Sequence, residues 1–326
     1  MAKVIIGIHG LGNKPPRNLL KNWWQMAIEE GLRKWKNEIP AYSFELVYWA
    51  DILHENPLDE NCTDKEDPLF LDEKYLPSSG NYVPEDHSKR KKILDFLGRE
   101  MNSIFLNDDF SLNYSFLTDA IVRHFFTDLD KYYKDTLDVK TSKNVKDLIR
   151  QRTAEMIRKH QKDEILVIAH SMGSIIAYDV LAFDIPDITI DTLITIGSPL
   201  GLPVVKSKIA AERKIKQKDT GQLAAPSNIK KHWFNFSDLE DKVAINYQLS
   251  DDYSENTSQV KPIDFEVHND YEIDGEPNPH KSYGYLRTQE FSDKVYIFLT
   301  TKKPSFWKRI IKKIRQLLKL RTGTEY

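Results

Sequence analysis

Short apolar runs alternate along this chain with longer stretches in which apolar residues recur every three or four positions. The runs fall at 4–9, 44–49, 164–169 and 191–197, are rich in Val and Ile, and are bounded by polar or Gly-containing turns. Such runs read as strands, and most of the stretches between them as helices. Val4-Ile5-Ile6-Gly7-Ile8 is apolar on both faces, as a central strand requires. Leu20, Trp24, Ala27, Gly31 and Trp35 follow at helical spacing, which predicts a crossover helix lying on the sheet. Repeated strand–helix alternation predicts an α/β fold with a mostly parallel sheet flanked by helices.

Between Asp51 and about Lys143 the alternation stops. Residues 55–90 are rich in Pro, Asp, Glu and Ser and read as long loop. Leu94, Leu97, Met101 and Phe105, then Leu117, Ile121, Phe125 and Leu129, follow at helical spacing. An insertion at about 52–143 would cover one end of the sheet, where α/β proteins place their sites. It reads either as a cap or lid or as a helical buttress with no part in access. The alternation resumes with a helix at 144–160, a strand at 164–169, a helix at about 173–183 and a strand at 192–196. A basic loop from Lys206 to Lys218, strands at 233–236 and 263–267, and a last helix over 288–300 complete the pattern.

Composition narrows the class. With 326 residues, 40% hydrophobic and 29% charged, the chain suits a soluble globular protein, too apolar for disorder and too polar for a membrane bundle. Val4–Ile8 is far short of the roughly 20 apolar residues a spanning helix needs. Met1, Ala2 and Lys3 lead straight into it with no small-residue cleavage site after, so no signal peptide and a cytoplasmic location are expected. Cys62 is the single cysteine, which excludes an internal disulfide and suits a reducing compartment.

The net charge of −2 hides an asymmetry: residues 302–326 hold nine Lys/Arg against Glu325, and the rest, with 38 basic and 48 acidic side chains, sums to −10. An acidic body argues against nucleic acid as a partner. In the tail, Phe306, Trp307, Ile310, Ile311, Ile314, Leu317 and Leu318 form one apolar face opposite Lys308, Arg309, Lys312, Lys313, Arg315, Lys319 and Arg321. A basic amphipathic helix over 305–321 fits peripheral contact with an anionic membrane surface, or docking on the acidic body. The acidic segments 57–73 and 251–274 lack the spacing of a calcium loop, and neither metal nor cofactor is expected.

Chemistry concentrates at Ile165-Leu166-Val167-Ile168-Ala169-His170-Ser171-Met172-Gly173-Ser174, where a strand runs into a Ser and a helix starts at once. So tight a turn strains the Ser backbone and demands small residues two before and two after, here Ala169 and Gly173. Ala169-His170-Ser171-Met172-Gly173 resembles the G-x-S-x-G nucleophile elbow of α/β-hydrolase-fold serine esterases and lipases, with Ala for the first Gly. The resemblance covers the sheet elements and motif turns of a hydrolase domain spanning 1–301; the insertion and the tail 302–326 lie outside it.

The family likeness implies a Ser–His–Asp triad, an acyl-enzyme and an oxyanion hole, acting on a small-molecule or lipid ester. Gly7-Ile8-His9-Gly10-Leu11-Gly12 is similar to the His-Gly turn of lipases, which assigns the oxyanion amides to Leu11 and Met172. Gly10-Leu11-Gly12 is followed by Asn13-Lys14-Pro15, which fails the dinucleotide fingerprint. His9 precedes the Ser, whereas this fold supplies its base last, so His9 reads as structural. Chain order confines acid and base to residues after Ser171, and the Asp-x-Val-Ala ending of the acidic loop after 233–236, similar to the family's catalytic-acid turn, implies Asp241 as the acid, with Asp238 the alternative. The base is His280, in a turn similar to the family's His-Ser-x-Tyr, with His268 the competitor.

Overall fold

The structure is a computed structural model that describes residues 2–80, 91, 129, 132–133, 144–217, 222–244 and 246–302. The helical patterns expected over 94–129, Leu129 excepted, and the amphipathic tail at 305–321 lie outside the described residues. Six strands, β1 (Lys3–Ile8), β2 (Ser43–Val47), β3 (Glu164–His170), β4 (Ile190–Ile196), β5 (Ile229–Ser237) and β6 (Pro262–Glu266), form one sheet. Their order is β2-β1-β3-β4-β5-β6 and every neighbouring pair is parallel. The chain winds outward from β1 in both directions, so a crevice opens at the carboxyl ends of β1 and β3, the switch point at which such sheets bind ligands.

Side chains alternate across the sheet as strand geometry dictates. Ile5, Leu166, Ile168, Ile194 and Phe236 meet α1 (Arg17–Lys36) on one face, through Trp24, Ile28 and Leu32. Ile6, Ile8, Val167, Leu193 and Trp233 point the other way, toward α3 (Val145–Lys159) and α4 (Met172–Asp179). A short α2 (Ala50–Leu53) follows β2, and α6 (Ser282–Leu286) and α7 (Gln289–Thr300) close the described chain beside α1. Ser171 and Thr288 lead into α4 and α7, and the Thr288 hydroxyl accepts from the Phe291 amide as an N-cap.

Three sequence expectations change. Of the stretch 206–218, read as a basic loop, residues 206–217 belong instead to helix α5 (Pro203–Gln217), and Lys218 lies outside the described residues. Pro203 sits at its first position, where a missing N–H costs nothing. Val204, Val205 and Ile209 are buried while Lys208, Lys214 and Lys216 face water, so the lysines mark the outer side of an amphipathic helix. Trp35, counted among the packing positions of α1, is 38% exposed and holds on by its indole N–H, which donates to the Arg287 carbonyl at 3.0 Å. An antiparallel hairpin of β7 (Glu272–Ile273) and β8 (Glu276–Pro277), turned by Asp274 and Gly275 at φ 53° and 81°, was not foreseen. Asp-Gly suits such a turn because both positions need positive φ.

A buried ionic knot ties the helices of one face together. Arg150 of α3 is 4% exposed and forks onto Asp184 with two bonds of 2.6 Å and onto Glu212 of α5 at 2.6 Å. Asp179 of α4, fully buried, accepts from the Tyr132 hydroxyl at 2.9 Å and lies 3.9 Å from Arg150. Burial pushes its carboxyl up to about 6 despite Arg150 and Lys146. Deleting one member of such a knot strands the others without water. Arg150→Met should therefore cost about 3–5 kcal/mol in urea unfolding; a loss below about 1 kcal/mol would show that the surrounding carboxylates relax to solvent.

Candidate active site

The geometry of the site starts from register. Ile8 pairs with Ala169 across β1 and β3, so the chain leaving each strand emerges beside the other. His9-Gly10 therefore lies against His170-Ser171, and a Cβ on Gly10 would come within 2.8 Å of the Ser171 Cβ. A Cβ on Gly173 would overlap the Ile8 carbonyl oxygen. Both glycines are steric requirements of this approach, the second as the elbow motif demands. Ser171 itself sits at φ 53°, ψ −127°, a conformation an L side chain adopts only under constraint. Its amide donates to the Ile196 carbonyl at 3.0 Å, which ties the turn to β4.

Ser171 and His280 line one cavity of about 490 Å³. Leu11, Leu20, Trp24, Leu58, Phe70 and Leu71 give it an apolar wall, and Lys14, Asp72, Glu73 and Lys281 add charged groups. Among the described residues no hydrogen bond joins Ser171 Oγ to His280. His280 Nδ1 faces both carboxylate oxygens of Asp241 at 2.9 Å, which leaves Nε2 as its other ring nitrogen. Asp241 is buried and accepts further from the amides of Val243 at 2.8 Å and Ala244 at 3.3 Å. The Tyr285 hydroxyl donates to it at 2.8 Å and accepts from the Asp238 amide at 2.9 Å. Burial, with Asp241 and Asp238 alongside, holds that phenol well above its ordinary range, so it stays a donor.

The alternatives are placed elsewhere. Asp238 accepts from the amides of Glu240 at 2.7 Å and Asn269 at 2.6 Å, and its carboxylate lies 3.8 Å from His268 Nδ1. Neither residue lines the cavity that holds Ser171. Leu11 lines it, and the amides of Leu11 and Met172 have no acceptor among the described residues.

His9 is buried, stacked on Trp49 at 4.7 Å, and takes the Trp49 amide on Nε2 at 3.0 Å while Nδ1 bonds the Gly10 carbonyl at 2.8 Å. Burial, helped by Lys14, lowers its pKa to about 3. His170 was treated only as the variable position of the motif, yet its Nε2–H donates to the His280 carbonyl at 2.7 Å. Burial first and the neighbouring His280 second hold it well below its ordinary range, hence neutral. Tyr285 and Glu73 were also missed, because nothing in local periodicity marks a residue whose partner lies far along the chain. Glu73 accepts from Asn278 Nδ2 at 2.5 Å and pairs with Lys281, on either side of His280. Burial would raise its carboxyl, but Lys281, then Lys14 and His280, bring it below the usual range.

Residues 97–237 match the family model described as PGAP1-like alpha/beta domain. That is less than half of the chain; it takes in β3, the elbow, β4 and β5 and stops short of Asp241 and His280. The matched family is of α/β-hydrolase, lipase/esterase-like type, and the six-stranded sheet with its flanking helices is an α/β fold of that type. No curated protein and no solved structure matches the chain. Among the described residues no helix is long and apolar enough to cross a membrane, and no cluster of metal-ligating side chains occurs.

The neutral His9 has a consequence for stability. Its contribution is complete above pH 6.5 and is lost as the pH falls toward 3, because the unfolded chain takes up a proton that the folded one excludes. Urea titrations from pH 6.5 to about pH 5 should show stability falling, and His9→Gln should make that slope shallower by about 1 kcal/mol per pH unit on average. Equal slopes would mean that the folded protein accepts a charged imidazole between β1 and Trp49.

Proposed function

We propose that the protein is a serine hydrolase of carboxylic esters. Ser171 Oγ attacks the acyl carbon while His280 Nε2 takes its proton, and Asp241 holds Nδ1–H and stabilises the imidazolium. The negative charge that develops on the carbonyl oxygen settles between the amides of Leu11 and Met172, each such donor contributing about 3 kcal/mol to the transition state. The bond from acyl carbon to alcohol oxygen breaks as His280 returns the proton to that oxygen. Water, deprotonated by the same imidazole, then releases the carboxylic acid and restores Ser171. One observation carries the reading: a serine at φ 53° shares its cavity with an imidazole that is fixed on its far side by a buried carboxylate. The hydrolase-type scaffold supports it.

A fluorophosphonate probe is expected to label wild type at Ser171 and to leave Ser171→Ala unlabelled, since only an activated hydroxyl reacts. Asp241→Asn should keep the fold and lower kcat on chromogenic esters by about four powers of ten. A folded wild type that neither labels nor hydrolyses any ester of the series would instead point to a binding protein on this scaffold.

The apolar cavity wall and the basic tail favour a lipid ester met at a membrane surface over a small soluble one. The sequence of 305–321, with seven apolar residues at helical spacing among Lys and Arg, suits an anionic interface, where each basic side chain contributes about 1 kcal/mol. The full chain should sediment with phosphatidylserine-containing vesicles and hydrolyse faster there, and deletion of 302–326 should abolish both effects. Unchanged vesicle binding by the truncated chain would rule out the tail as the membrane contact.

A further inference from the structure

The base does not sit on a regular element. His280 lies in a stretch, 278–281, that belongs to neither β8 nor α6. Each of three successive carbonyls is capped by a side chain. His170 donates to the His280 carbonyl, and one amide group, Nδ2 of Asn269, donates to the carbonyls on both sides of it, Pro279 at 2.8 Å and Lys281 at 2.7 Å. Asn269 is 3% exposed. Its own Oδ1 accepts from the Tyr271 amide at 3.1 Å, and its backbone amide donates to the Asp238 carboxylate at 2.6 Å. A Cβ on Gly284 would occupy the position of that Oδ1, so α6 is shaped around the amide.

We infer that Asn269 is the positioning residue of the catalytic base: bound to the acid loop through Asp238 and to both peptide groups flanking His280, it sets the distance and angle between His280 and Asp241. The inference rests on the ester-hydrolase reading for its kinetic consequence but not for its structural one. Asp241 and Asp238 are three residues apart on one turn, and the Asp241 amide donates to the Asp238 carbonyl at 3.1 Å. Asp238 thus relays the position of the acid to Asn269, and Asn269 relays it to the base. A side chain of this kind touches no reacting atom; it acts by removing freedom from the one that does. Losing such constraint allows a displacement of the order of 1 Å, enough to lower turnover about 100-fold.

The test is Asn269→Leu, close to Asn in shape but without its hydrogen bonds, beside Asn269→Asp, which keeps the acceptor and loses the donors. Proton NMR of the full chain reads the downfield Nδ1–H of His280 against Asp241, a signal that needs no activity. Kinetics on a chromogenic ester read kcat and KM separately, and thermal unfolding checks the fold. In both folded variants the downfield proton is expected to broaden or vanish, and kcat to fall about 10- to 100-fold with KM little changed. In a His280→Ala background the same substitutions should lower the residual rate no further. A folded variant with an unaltered His280 signal overturns the inference, as does an equal loss of rate in the His280→Ala background. If both variants fail to fold, Asp238→Asn, which weakens the link one step back, must still disturb the His280 proton or the inference falls. A wild type with the downfield proton but no hydrolysis would sink the ester-hydrolase reading and leave the positioning role standing.

Discussion

Parallel pairing of β1 with β3 is the constraint on which the site depends. The two strands leave the sheet side by side, one into His9-Gly10-Leu11 and the other into His170-Ser171-Met172. Any side chain at Gly10 or Gly173 would push those turns apart. What the approach creates is a pair of turns in which the amides of Leu11 and Met172 have no acceptor among the described residues, with Leu11 lining the same cavity as Ser171. The strain at Ser171 is sustained by bonds to β4 and by the packing of α4, so the sheet holds a conformation that the local sequence alone would not choose.

The sheet and the elbow were legible because they are local. Ile165 to Ala169 is apolar on both faces and Ala169 and Gly173 are small, and those residues form one continuous strand, turn and helix. The lysines between 206 and 217 hide a helix for a related reason: their charge suggests solvent, while the i to i+4 burial of Val205 and Ile209 shows only in the fold. Nothing local identifies Tyr285, Glu73 or Asn269. Their partners are 44, 208 and 12 residues away, at Asp241 and at Lys281, and such pairings are visible only once the fold has closed.

The two aspartates of the acidic loop illustrate the same limit. Asp238 and Asp241 stand three residues apart and both are buried, so neither composition nor spacing separates them. The turn does, by directing Asp241 at His280 and Asp238 at the Asn269 amide. Two carboxylates on one turn thus meet different partners, one an imidazole ring and the other the amide of Asn269, whose side chain donates to the carbonyls on either side of His280.

The described part of the insertion bears on how substrate reaches the serine. Leu58, Phe70, Leu71, Asp72 and Glu73 form one side of the cavity. They are held there from outside: Tyr75 and the Ser78 amide donate to Glu30 at 2.7 and 2.8 Å, the Ser78 hydroxyl donates to Asp270 at 2.5 Å, and Arg287 reaches the Leu76 carbonyl at 2.6 Å. Arg287 is itself buried between Glu30 and Asp270, which gives these bonds a less screened setting than the surface offers. Residues 58–78 are therefore a wall built into the body of the protein. Glu73 binds that wall to Asn278 and Lys281 near His280, so displacing it would also disturb His280. An insertion attached in this way shapes the cavity and the position of the imidazole together, and changes in this segment should alter selectivity and turnover as a pair.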